Sequence, residues 1–261
     1  MTWLALRLLR PYLLVAAAVT AACLGYVGYA AGVVQGGLDA AEVPGCLDPN
    51  VCYPQGAALD AVLGLELVAA FAPALLGLIL GVGTFAPARE QDTEAFVLTQ
   101  SVSRRRWVLT TFGWALAAAV LCAGSVAAAH RLVATRYTVL ANDTYELLQL
   151  LHVNSPGFMT AQAVVAVTLA GLVGLGTGRT LRTLVATAAG TPFAVMAASL
   201  VAALLLYPLT LLTGAPEPGG GSFTDDISAL DPFGYLVAAV VAAGAAAAVL
   251  VAPRVGVRGG R

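Results

Sequence analysis

The sequence predicts an all-α, polytopic membrane protein: one domain over residues 1–261, six transmembrane helices, and both termini in the cytoplasm. Three observations carry this expectation. Hydrophobic residues make up 59% of the chain and charged residues 10%, with a mean hydropathy of +0.87. A soluble domain carries about 25% charged residues, so this chain cannot clothe a water-facing surface of ordinary polarity. The apolar residues also come in unbroken blocks instead of at amphipathic spacing, and blocks of about 20 match the thickness of a hydrocarbon core. Finally, the arginines gather between alternate blocks.

The blocks fall at 11–34, 59–86, 107–129, 158–177, 184–212 and 233–252. In lipid each must satisfy its own backbone hydrogen bonds, and non-alternating blocks of this length do so as helices. Arg7 and Arg10 before the first block resemble the start of a signal peptide, and Thr20-Ala21-Ala22-Cys23 faintly resembles a lipoprotein site. The apolar run continues to Val34, too long for a typical signal h-region, so the block is expected to stay as a span. Trp3 to Arg10 can form a short interfacial helix, with Trp3 at the headgroups and the arginines snorkelling. In the second block Gly77, Gly81 and Gly83, and in the fourth Gly171, Gly174, Gly176 and Gly178, are expected to be helix-contact stripes, because small residues let helix backbones approach.

Orientation follows from arginine placement. With the N-terminus inside, Arg7, Arg10, Arg89, Arg104, Arg105, Arg106, Arg179, Arg182, Arg254, Arg258 and Arg261 are cytoplasmic, and only Arg131 and Arg136 fall outside. Acids lean the other way, with Asp39, Glu42, Asp48, Asp143, Glu146, Glu217, Asp225, Asp226 and Asp231 outside.

The outside segments differ in character. Residues 35–58 form the first loop and contain Cys46 and Cys52 on either side of Pro49. An extracytoplasmic compartment permits disulfides, so a Cys46–Cys52 bridge is expected; two cysteines without a nearby histidine make a poor metal site. Cys23 and Cys122 lie within spans, where they serve as small apolar residues. Residues 142–152 fit a short helix on the outer surface, and 214–231, rich in Gly and Pro, a loop.

Few residues suggest chemistry, and neither a catalytic group, nor a metal site, nor nucleic-acid binding is expected. All 13 basic residues are arginine. A P-loop needs its lysine on the nucleotide phosphates, so this chain cannot hydrolyse ATP by that route. His130 and His152 are the only histidines, both placed outside the spans, and no H-E-x-x-H occurs. Glu66 is the one acid well inside a block. Burying a carboxylate is costly unless it is paired or protonated. Two readings follow: a proton-coupling or substrate counter-charge site, or an acid close enough to the outer end of its span to reach water. The second is the plainer.

The cytoplasmic segment 87–106 is the richest. Glu90 and Glu94 stand at i, i+4, Phe96, Val97 and Leu98 supply an apolar patch, and Arg104, Arg105 and Arg106 close it. Acids first and arginines last complement a helix dipole. Such a short amphipathic helix can lie on the membrane as an anchor or dock into a partner's groove; physics alone favours the anchor.

Arg89-Glu90, Thr93 and Gln100-Ser101-Val102-Ser103-Arg104-Arg105-Arg106-Trp107 occur in the order found in type-2 ABC transporter permeases, especially an Ala-rich group common in GC-rich bacteria. The chain resembles these permeases along its length: the Met1-Thr2-Trp3-Leu4 opening, Arg7 and Arg10, the cysteine-containing first loop and six spans all fit. It departs from them in lacking a glycine before Thr93 and in a shorter helix. The resemblance implies the transmembrane subunit of an exporter in the bacterial plasma membrane, working as a homodimer or with a related permease. ATP and Mg would be bound by separate ATP-binding subunits, with no cofactor in this chain. It also implies a coupling helix in segment 87–106, with Arg89, Glu90, Thr93 and Glu94 on the coupling surface and Arg104, Arg105 and Arg106 setting its depth. A path of Ala, Gly, Leu and Val suits an amphipathic or lipid-like cargo. Two other readings remain: a secondary transporter that couples protons through Glu66, and a non-transporting scaffold or sensor.

Overall fold

A computed structural model describes residues 2–40, 56–91, 104–136 and 156–195. They are helical almost throughout. Helix α1 spans Thr2–Ala40, α2 Ala57–Glu90, α3 Arg104–Arg136 and α4 Pro156–Thr177; α5 begins at 180 and is described to 195. The first four contain 39, 34, 33 and 22 residues. At about 1.5 Å per residue they run from about 33 to about 58 Å, against a hydrocarbon core of about 30 Å. All four are long and apolar enough to cross a membrane.

The helices outrun the apolar blocks. A block ends where side chains turn polar, whereas the backbone gains from continuing its hydrogen bonds into the interface. The opening Trp3–Arg10 segment is therefore not a separate interfacial helix. It is the first part of α1, which runs through Pro11 without a break. Leu9 is fully buried there, while Arg7 stacks over the Trp3 ring at 5.1 Å. At the other end α1 reaches Ala40, inside what the sequence suggests is loop. Cys46, Cys52, Thr93, Glu94, the outer segment 142–152 and the sixth predicted span lie outside the described residues.

Neighbouring contacts give the direction of each helix. Tyr12 lies on Gly83, Tyr26 on Gly64 and Ala58 beside Gly37, so α1 and α2 are antiparallel. Phe85 meets Trp107 and Glu66 meets His130, so α2 and α3 are antiparallel. Gly77 faces Ala163 and Ala166, Gly81 faces Val167 and Ala170, and Gly174 faces Ala86. Helices α2 and α4 therefore run parallel, and theirs is the most extensive pairing. Directions alternate along the chain, as successive spans require.

Glycine makes the α2–α4 seam possible. A Cβ at Gly81 would stand 2.6 Å from the Ala170 Cβ and 2.9 Å from the Val167 backbone. One at Gly77 would strike the Ala163 carbonyl. The contact-stripe expectation thus holds for Gly77 and Gly81, and Gly83 carries the Tyr12 ring. It fails for Gly176, which has nothing within 4 Å, and changes meaning at Gly178, where φ is 57° and α4 has ended. Around this seam Leu9, Ala69, Leu76, Leu80, Ala119, Ala123, Val126, Met159 and Val167 form the main core. Cys23 and Cys122 are free thiols packed at its edge, as small apolar residues. Some hydroxyls inside the bundle bond back to their own helices: Thr20 donates to the Ala16 carbonyl at 2.8 Å and Thr84 to that of Gly81 at 2.5 Å. Such bonds let threonine sit in apolar surroundings.

Candidate functional site

Two polar places stand out, one at each end of the bundle. The first lies where α2 ends, α3 starts and α4 turns into α5. Phe85 and Trp107 meet edge to face, with centroids 5.5 Å apart and planes at 68°. Both rings are buried, and Ala88, Val108, Phe112 and Leu175 complete the cluster. The two ends of the α2–α3 connection are thus held together by an apolar clasp. Arg105 and Arg106 are exposed at the start of α3, and Arg179 and Arg182 at the start of α5.

Glu90 and Arg89 belong to the last turn of α2, with Gln91 as the cap. Glu90 is therefore part of a long helix and not of a separate short one. Its Oε2 accepts a hydrogen bond from the Thr180 amide at 3.0 Å and another from the Thr180 hydroxyl. The Thr183 amide donates to the Arg179 carbonyl at 3.0 Å, so Thr180 is the first residue inside α5. Its amide is one of the donors a helix start leaves without an intrahelical partner, and a carboxylate there also meets the positive end of the dipole. The turn reaches this position because Gly178 adopts a left-handed φ, with Arg89 packed over it. Thr177 and Thr183 bridge the same turn, hydroxyl to hydroxyl, at 3.0 Å. The sequence does not single out Thr180. Its only signal is a Gly-Arg-Thr turn after an apolar block, a pattern that marks a helix end and a new start.

The second place is towards the opposite end of the bundle, nearer the start of α2 and the end of α3. Glu66 is 8% exposed and His130 1%, and His130 Nε2 lies 3.9 Å from Glu66 Oε1. The water-reaching reading of Glu66 does not describe this geometry, and His130 is not in an outside loop. It sits within α3, which continues to Arg136. The apolar block ends at 129 because histidine is polar, while the helix goes on and turns His130 onto the α2-facing side. Just beyond the pair, towards the start of α2, Ala61, Val62 and Leu65 of α2 pack with Val133 and Ala134 of α3. Among the described residues no group of three or more metal-ligating side chains forms.

A bundle of apolar helices alternating in direction, with arginines crowded at one end, defines a multi-pass membrane protein. The family model described as ABC-2 membrane transporter related matches residues 13–206, about three quarters of the chain, and the protein belongs to that family. No curated protein and no solved structure matches it.

Proposed function

We propose that the chain is the membrane-spanning permease subunit of an ATP-driven exporter in a bacterial plasma membrane, paired with a second permease copy. A separate ATP-binding subunit binds ATP and Mg and docks on the segment between α2 and α3. The observation that carries this reading is the family match over 13–206, which takes in α1 from residue 13 and the whole of α2, α3 and α4. Two features support it. The chain contains no lysine, so a P-loop motor has to be another chain. The two ends of the α2–α3 connection are clasped by Phe85 and Trp107, so a push on the connection is passed to two spans at once. In this reading Thr93 and Glu94 face the ATPase, Arg89 stays packed over the Gly178 turn behind them, and Arg104, Arg105 and Arg106 hold the segment at headgroup depth. The fifth and sixth spans complete the unit, and the Ala- and Gly-rich bundle suits an amphipathic or lipid-like substrate. The Glu66–His130 contact gives the proton-coupled alternative a concrete site, although no described helix is interrupted at mid-depth as such transporters commonly show.

Purification of the tagged chain from its native host in mild detergent tests the proposal. Mass spectrometry is expected to find a stoichiometric P-loop ATPase, released when Thr93 and Glu94 are both changed to Arg. A chain that arrives alone, even after gentle cross-linking, refutes the permease reading and directs attention to Glu66 and His130.

A further inference from the structure

Position alone would put Glu90 among the residues offered to the ATPase, because it directly precedes the connecting segment. The structure uses its carboxylate differently. Oε2 is engaged by both the amide and the hydroxyl of Thr180, and so is aimed at the start of α5, on the exposed end of the bundle. Four features converge on this turn. Glu90 accepts from the first amide of α5, Arg89 lies over Gly178, Gly174 seats the Ala86 backbone, and Thr177 bridges to Thr183. The end of α2 is thereby joined to the start of α5 through side chains, across 90 residues of sequence.

Beyond this turn α5 is described to 195. Its inward face in the described part is a row of threonines, Thr183, Thr187 and Thr191, at successive helical turns. Its outward residues Leu181, Val185 and Phe193 are 72%, 58% and 69% exposed. Gly190 adds a close approach to Leu169 of α4, so this described face packs through small residues, while polar side chains grip the start of the helix.

We propose that the Glu90–Thr180 contact is a latch: Glu90 is a positioning residue that carries movement of the α2–α3 connection to α5, so that α5 moves with α2 and α3. This rests on the permease reading above and deepens it, since it assigns Glu90 to transmission inside the membrane unit and not to docking. The chemistry suits the task. A carboxylate oxygen accepts from amide and hydroxyl together and adds a charge–dipole attraction at the helix start. The substitution Glu90→Gln keeps the geometry and loses the charge, Glu90→Ala removes both, and Thr180→Val removes only the hydroxyl.

The test uses the whole transporter, chain plus ATPase, in nanodiscs. Cys23, Cys46, Cys52 and Cys122 are replaced by Ala, and spin labels are placed at Val185→Cys on α5 and Leu14→Cys on α1, both exposed positions. Wild type is expected to change the inter-label distance on vanadate trapping of nucleotide. Glu90→Ala and Thr180→Val are expected to keep the ATPase bound in full while the population reaching the trapped α5 position falls about threefold or more. Glu90→Gln is expected to fall in between, and Thr180→Ser to behave as wild type, a rescue that a general folding defect would not show. If Glu90→Ala does not fold, Glu90→Gln and Thr180→Val carry the comparison. An unchanged distance response in these variants overturns the latch. Release of the ATPase by Glu90→Gln also overturns it, because Glu90 is then a docking contact. Both results leave the permease reading standing, whereas a wild-type chain that binds no ATPase removes the reading and the latch together.

Discussion

At the scale of single residues, the Glu66–His130 contact is the sharpest departure from an apolar bundle. An ionisable side chain in a membrane span is normally paired or turned towards a polar interior, and here each residue is the other's nearby partner at 3.9 Å. Removing one partner leaves the other with less polar company in a tight seam, while removing both does not. Glu66→Ala and His130→Ala should therefore each lower the unfolding temperature in nanodiscs, and the double variant should lose less than their sum. Polar pairs between membrane helices couple on average by about 0.6 kcal/mol, with about 1.7 as an upper value. A double-mutant cycle that closes to zero would show that the two side chains are neighbours without interaction. The sequence points to Glu66 because a lone acid interrupts a long apolar block. It does not point to His130, whose significance exists only once α3 is known to continue past 129 and to turn that side chain onto α2.

At the scale of elements, the α2–α4 seam decides how closely two parallel spans approach. Gly81 is against backbone, so an added methyl cannot be absorbed by a rotamer change. Gly81→Ala is expected to cost about 1–3 kcal/mol, the range for overpacking a filled interior, read as a lower melting temperature and weaker recovery from the membrane. Gly176→Ala is the control. Nothing lies within 4 Å of its Cβ position, and replacing a helical glycine by alanine removes about 1 kcal/mol of propensity penalty. It should be neutral or stabilising. Equal loss at both sites would mean that close approach is not what Gly81 provides. Glycine content alone marks both positions equally, and only the partner across the seam separates them.

Across the whole molecule, charge and helix direction agree. The end of the bundle that holds Arg7, Arg10, Arg89, Arg105, Arg106, Arg179 and Arg182 is reached by the start of α1 and α3 and by the end of α2 and α4, while Arg131 and Arg136 sit at the far end of α3. Cytoplasmic loops carry the excess of basic residues, so the arginine-rich end is expected to face inward. In a cysteine-free background, Asp39→Cys at the outer end of α1 should react with a membrane-impermeant maleimide on intact cells. Gln91→Cys should react only after permeabilisation. The reverse pattern would invert the topology, place the α2–α3 connection outside and leave no cytoplasmic surface for an ATPase there.

Residue order suffices for the membrane class and for the positions of the described spans to within a few helical turns, and it sets their expected orientation. These depend on quantities summed along the chain: hydrophobic length against bilayer thickness, and the side on which arginines accumulate. The resemblance of segment 89–107 likewise lies in residue order. Which residues do the joining is a matter of packing. Glu90 reads as part of a surface helix until α2 is seen to include it and Thr180 is seen to lie against it. His130 reads as loop until α3 is seen to carry it onto α2. Both are relations between residues tens of positions apart in sequence. Local pattern does not encode them, because the partner is chosen by how helices pack, and in a chain so rich in Ala, Gly and Leu nearly every helix face is equally apolar.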